Sequence, residues 1–167
     1  MDLSPFDALP SRELFSARFP ETASSRNILF LSRIDEKKGI DLLLEAFARI
    51  ATQRPDIHLV ICGSGDTSLT AKLQSQAASL GIAPRVTWAG QVAGELRLAA
   101  FSAAEMFVLP SHSENFGIAL LEAMAAGLPC VSTDQVALAL DAVRDKAVVL
   151  AAREPGAIAA KIEALLD

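Results

Sequence analysis

Six short apolar runs, each followed by a stretch of helical periodicity, constrain this chain more than any other feature. The runs are Ile28 to Ser32, Ile57 to Cys62, Val86 to Ala89, Met106 to Leu109, Cys130 to Thr133 and Ala147 to Leu150. Helical periods follow from Ile40 to Ile50, Leu69 to Leu80, Glu95 to Ala103, about Phe116 to Ala126, Val136 to Arg144 and Gly156 to Leu166. Near-continuous apolar runs, rather than alternating ones, are the pattern of strands buried on both faces. Separated by helices, they predict an α/β fold, a doubly wound Rossmann-like parallel sheet of about six strands with helices on both faces. In such a sheet the chemistry belongs to the loops at the carboxyl ends of the strands. Residues 1–25 hold Pro5, Pro10, Pro20 and several serines without a strand pattern, so they read as a lead-in or interdomain linker, and residues 26–167 as the folded domain.

Composition excludes several classes of function. A length of 167 residues with 51% hydrophobic content suits one well-buried domain, while a net charge of -5 and scattered basic residues disfavour a nucleic-acid partner. Cys62 and Cys130 fall at strand ends without metal-ligand spacing, which reads as two small core residues in a reducing compartment. No D-x-D or His cluster offers a hard-cation or zinc site, so neither a metal nor another cofactor is expected. No apolar run reaches the length of a membrane span and no basic-then-apolar leader opens the chain, so the expected location is cytoplasmic, with a peripheral position at the inner membrane surface as an option.

The segment from Ser111 to Met124, S-H-S-E-N-F-G-I-A-L-L-E-A-M, carries the sharpest chemical signal. A helix from about Phe116 to Ala126 would be capped by Ser113 or Asn115 and stopped by Gly127 and Pro129. Glu122 is its lone charge among apolar side chains, and a buried carboxylate is costly unless something hydrogen-bonds it. Glu114 lies just before the first turn, where free N–H groups and the positive end of the helix dipole favour an anion or hydroxyls. The plain alternative makes Glu114 a solvated loop residue and Glu122 an exposed helix residue; the pattern leaves no polar face for it.

This segment resembles the E-x7-E signature of retaining GT-B glycosyltransferases of family 4, which use nucleotide sugars. The resemblance covers almost the whole chain and implies the donor-binding C-terminal domain of a two-domain enzyme. It implies that Glu114 sits beside the donor sugar, that Glu122 receives the ribose hydroxyls, and that the amides of Asn115, Phe116, Gly117 and Ile118 face the sugar and diphosphate. Asp2-Leu3-Ser4-Pro5-Phe6 is similar to the stretch that follows the family's interdomain hinge. Acceptor saccharide or lipid would then meet an N-terminal domain that is missing here, and this chain alone would be an inactive half.

After the first strand, Ser32-Arg33-Ile34-Asp35-Glu36-Lys37-Lys38-Gly39 leads into a helix with two lysines opposing its dipole, a conflict that a bound phosphate would resolve. The segment resembles the family's G-R-x(4)-K-G element, with Ser32 where glycine is usual. That implies that Arg33 and Lys38 grip the donor diphosphate and neutralise the leaving group in place of a metal. Lys37 fits a solvated basic turn better. Gly63-Ser64-Gly65 after the second strand lacks the third glycine of a dinucleotide fingerprint, which disfavours nicotinamide binding. Those two glycines serve either close approach to the nucleotide or a tight strand-to-helix turn. Arg85 to Val92 is similar to a family strand whose following loop holds the base, with Trp88 itself in the core. His112 either touches the sugar or caps a turn, and His58, inside a strand, is structural.

The reading is therefore a donor-binding domain that serves hexose transfer to an acceptor hydroxyl with retained configuration, and Glu114 positions the sugar and stabilises positive charge. A different class, a non-catalytic nucleotide-sugar-binding subunit or sensor that works with a separate acceptor chain, stays open. An epimerase or phosphorylase of the same architecture would need catalytic groups that the sequence does not offer.

Overall fold

The computed structural model describes residues 1–114, 116–143 and 147–167. Six strands, β1 (Arg26–Leu31), β2 (Ile57–Cys62), β3 (Val86–Gly90), β4 (Ala104–Leu109), β5 (Cys130–Ser132) and β6 (Val148–Leu150), form one sheet. The sheet is parallel throughout, in the order β3-β2-β1-β4-β5-β6. The helices are α1 (Glu13–Arg18), α2 (Ile40–Ala51), α3 (Thr67–Ser79), α4 (Gly94–Ser102), α5 (Ile118–Ala125), α6 (Ala137–Ala142) and α7 (Pro155–Leu166). They cover both faces of the sheet, with α2 packed on α3 and α7, α1 on α4, and α5 on α6. This is the doubly wound arrangement that the apolar runs imply. Ile28, Phe30, Leu59, Ile61, Met106 and Phe107 are sealed from solvent, because a central strand covered on both faces has no side left for a polar residue.

The chain order reverses between β1 and β4, which pair side by side through Leu29 and Phe107. The loops leaving these two strands diverge to opposite sides, and the gap at their carboxyl ends is the place where open α/β sheets bind ligands. Three features bound this gap: the loop from Ser32 to Gly39, the loop from Pro110 to Gly117, and the turn after β2 at Gly63 to Gly65. The first two loops are tied together by the His112 N–H donating to the Lys37 carbonyl oxygen at 2.8 Å.

One local expectation needs correction, and the lead-in is packed more closely than its composition suggests. Helix α5 begins at Ile118, not Phe116, and Ser113 does not cap it; its N-cap is Gly117, at φ +86°, with no side-chain cap hydrogen bond. The left-handed turn at Gly117 breaks the helix two residues later than the periodicity suggests, and Asn115 lies outside the described residues. The lead-in forms no strand, but it is packed chain: Phe15 of α1 and Phe19 lie in the core, and Thr22 is fully buried. Apolar α1 side chains can dock on α4 without any strand, which is why proline and serine content alone suggested a linker. Helix α6 ends at Ala142, and Arg144, where a longer helix was expected to finish, lies outside the described residues.

Candidate functional site

The chemistry-bearing side chains converge at the β1/β4 gap and arrive there already paired. Lys38 Nζ donates to Glu114 Oε2, joining the loop after β1 to the loop after β4. Arg97 Nη1 donates to Glu122 Oε2, joining α4 to α5. Glu114 stands against Lys38 and offsets its positive charge at that helix start. Lys38 keeps only 14% of its side-chain surface and Glu122 only 8%, so both charges sit where an unpaired partner would be costly. Arg33 differs: 81% of its side chain is exposed, and its nearest acid is Asp35 at 3.9 Å. Asp35 is occupied in accepting the Lys37 backbone N–H at 2.9 Å, and the Lys37 side chain stands in solvent.

A cavity of about 390 Å³ opens between these groups, lined by Ser32, Lys38, Arg97 and Glu114 with Phe116 through Ala119. The first turn of α5 therefore faces the cavity, with Phe116 and Ile118 both more than half exposed, and its unbonded N–H groups add partial positive charge. A second space of about 300 Å³ shares Leu31 and Ser32 with it and runs past Arg33, Gly63 and Ser64 to Gln91 and Val92 beyond β3. Together they form a cleft along the carboxyl edge of β3, β2, β1 and β4. Its cations, Arg33, Lys38 and Arg97, each stand beside a carboxylate, with the N–H groups of the α5 turn among them. Such a surface accepts an anion in the middle and hydroxyls beside the acids.

Gly63 and Gly65 have a reason inside the chain. A Cβ at Gly63, whose φ is +142°, would meet the Ser32 carbonyl oxygen at 1.7 Å, and one at Gly65 would meet the Ile34 carbonyl oxygen at 2.1 Å. The two loops run backbone against backbone, with Ile34 N–H bonded to Ser64 O at 3.0 Å, so the glycines hold the floor of the cleft together. His112 lies 3.6 Å from Asp41 through Nε2, at the rim. His58 is buried at the other end of the sheet, 2.7 Å from Thr87 Oγ1, and burial pushes its pKa below the ordinary value against the pull of Glu21. Trp88 is half-buried against the core. Cys62 and Cys130 are buried and unpaired, each thiol pushed up to about 12 by burial, so neither is a nucleophile at neutral pH. Among the described residues no group of His, Cys, Asp or Glu is arranged to hold a metal ion, and no helix is long and apolar enough to cross a membrane.

Sequence reasoning brought Arg33, Lys38, Glu114, Phe116, Gly117, Ile118 and Glu122 to one region, and the structure gathers them there. It missed Arg97. The available signal was the unsatisfied partner itself: a buried Glu122 requires a donor, and the basic residues placed within apolar helical stretches were few enough to test.

A Rossmann-like domain with a cleft of paired cations and carboxylates at its topological switch point is the class that fold and site define. The model of the glycosyl transferases group 1 family matches residues 11–167, and the chain belongs to that family. It is 40% identical over 149 residues to D-inositol 3-phosphate glycosyltransferase of Geodermatophilus obscurus, covering 83% of this chain and 33% of that one. It is 39% identical over 121 residues to phosphatidyl-myo-inositol mannosyltransferase of Mycobacterium leprae, covering 71% and 30% respectively. The chain spans about a third of the length of these curated relatives. Among solved structures, a glycosyltransferase from Rickettsia africae superposes with a TM-score of 0.89 at 18% identity, over 99% of this chain and 45% of that one. The C-terminal domain of a glycosyl transferase group 1 family protein from Francisella tularensis superposes with a TM-score of 0.83 at 22% identity, over 99% and 87%. An Anabaena protein in complex with UDP and glucose gives 0.83 at 20%, over 100% and 45%. At these identities the superpositions establish the shared GT-B half-fold.

Proposed function

We infer that the cleft binds a nucleoside-diphosphate sugar, and that the domain is the donor half of a retaining, metal-independent hexosyltransferase. The observation that carries this reading is the meeting of Lys38 and Glu114 at the β1/β4 switch point, with Arg33 and the first turn of α5 alongside. The diphosphate lies over Arg33, Lys38 and the α5 amides, which supply in the transition state the positive charge that a metal supplies elsewhere. Phe116, Gly117 and Ile118 cover the sugar beside Glu114. The ribose hydroxyls are assigned to Glu122, beside the Arg97 guanidinium that covers it, and the base extends past Gly63 and Gly65 toward the loop after β3.

The leaving diphosphate is the group placed to accept the acceptor's proton, while Glu114 stabilises positive charge at the anomeric carbon. Its ion pair with Lys38 keeps both groups in register along the bond that breaks, one acting on the sugar and the other on the leaving oxygen. The acceptor, a saccharide or lipid hydroxyl, is met by a separate GT-B domain, so a chain of these residues binds donor without transferring it. Work on the donor side is taken to be cytoplasmic.

Calorimetry with UDP-, GDP- and ADP-sugars, followed by mass spectrometry of acceptor reactions, tests this. The expected result is binding of one nucleotide class, weakened by about 1.5 to 3 kcal/mol on the nucleoside portion in Glu122→Ala, with no transfer. Transfer by the chain alone would place the acceptor site within these residues; binding of none of the donors would reject the cleft as a donor site.

A further inference from the structure

Resting on the reading above, we propose that Arg97 is a third anion-binding side chain of the cleft, held over the cavity by Glu122 and by the ring of Phe101. Three observations converge on it. Arg97 lines the same 390 Å³ cavity as Lys38, whereas Glu122, its partner, does not line it, so a ligand entering from the cavity meets the guanidinium first. Of the five N–H donors of a guanidinium, its one hydrogen bond among the described residues uses Nη1, to Glu122 Oε2, and 29% of the side chain remains exposed. Its Cζ stands 5.6 Å from the centroid of Phe101, a fully buried ring of the same helix, which fixes the direction in which the side chain leaves α4.

Charge matching gives this cation its work. Arg33 faces Asp35, Lys38 faces Glu114 and Arg97 faces Glu122, so the cleft is near neutral as built. A diphosphate entering it gains little unless a cation turns donors toward it without abandoning a buried carboxylate. A guanidinium can do both, since its planar fork keeps one N–H on Glu122 while others reach an oxyanion; an ammonium at Lys38 has less freedom to bridge. Arg97 thereby ties the phosphate region of the cleft to Glu122, the group assigned to the ribose, and the same side chain that satisfies the buried acid recognises the anion.

Inorganic pyrophosphate isolates this contact from base and ribose. We expect calorimetric titration of the full 167-residue chain to show pyrophosphate binding that falls about tenfold in Arg97→Met, as in Lys38→Met, and less in Arg97→Lys. Arg97→Met leaves Glu122 buried without its partner, so the comparison is repeated in a background with that acid neutral. There, Glu122→Gln should bind pyrophosphate several-fold more tightly than the parent, and the double variant Arg97→Met/Glu122→Gln should lose about tenfold relative to Glu122→Gln. Lys161→Met, which removes one exposed charge from α7, should change binding less than twofold and exclude a mere net-charge effect. Equal affinity of Glu122→Gln and the double variant, with Lys38→Met still impaired, would overturn the role of Arg97 while leaving the cleft reading intact. Failure of the parent to bind pyrophosphate and every nucleoside diphosphate would reject both.

Discussion

The two ends of the sheet differ in how their least exposed cations are held. At the amino ends of the strands, polar side chains are wired largely to backbone oxygen. Arg85 donates to the carbonyls of Ala51, Arg54 and Ile57, and Asn27 donates to those of Thr22 and Ala103. Thr87 bridges His58 and Glu21 there. At the carboxyl ends, Lys38 meets Glu114 and Arg97 meets Glu122, each pair held side chain to side chain across two elements. A backbone carbonyl cannot leave its partner without unfolding something, whereas a side-chain pair can be shared with a ligand. The first end is built for stability and the second for exchange.

That contrast predicts which changes hurt folding and which hurt binding. The largest loss of stability should come from a place at the carboxyl end where backbone meets backbone. Gly63→Val would push a Cβ into the Ser32 carbonyl at a φ of +142°, and should cost about 3 to 5 kcal/mol, read as a collapse of the denaturant midpoint. Near-parent stability would show that the loops after β1 and β2 separate easily and do not form a fixed floor.

Next comes Arg85→Ala, which removes donors from three carbonyls and a stack 5.6 Å over Phe47. A loss of about 2 to 3 kcal/mol with unchanged nucleotide affinity is expected. Lys38→Ala is the mirror test. It should impair anion binding about tenfold while costing less stability than Arg85→Ala, about 1 to 2 kcal/mol, because Glu114 loses its cation but keeps some contact with water at 17% exposure. If both variants moved stability and affinity together, the division between the two ends would fail.

The smallest effect concerns pH. His58 has a folded-state pKa below its ordinary 6.5, chiefly from burial, with Arg85 adding to the shift and Glu21 opposing it. Well above pH 6.5 it is neutral in both states. As pH falls below 6.5 the unfolded chain takes the proton first, so stability drops until the lowered folded pKa is reached. Melting curves between pH 7 and pH 5 should therefore show a small decline in stability that is flattened in His58→Asn. A steeper decline in the variant would reverse the sign of the argument.

Most of the fold was legible because buried parallel strands write themselves as apolar runs. Ile57–Cys62 matches its strand residue for residue, and the other strands shift by a residue or two at their ends. What escaped lay in contacts between distant segments. The start of α5 depends on a left-handed Gly117 packed against Val136, and the need for glycine at 63 and 65 depends on carbonyls in the preceding βα loop. The burial of Phe15 and Phe19 depends on the docking of α1 on α4. Glu122 announced itself as a lone charge in an apolar helix, yet its partner Arg97 sits one crossover away on α4, in a helix whose weak amphipathic pattern gives no hint of where the side chain points.

The central claim, that the carboxyl-end cleft grips a diphosphate, is tested most directly by one calorimetric comparison. The nucleoside diphosphate of the preferred class and its bare nucleoside are titrated into the parent, Lys38→Ala and Arg33→Ala. The account predicts that Lys38→Ala loses at least about tenfold for the diphosphate and less than about twofold for the nucleoside, with Arg33→Ala following the same pattern more weakly because its side chain is 81% exposed. An equal loss for nucleoside and diphosphate would place these cations at the ribose or base and contradict it.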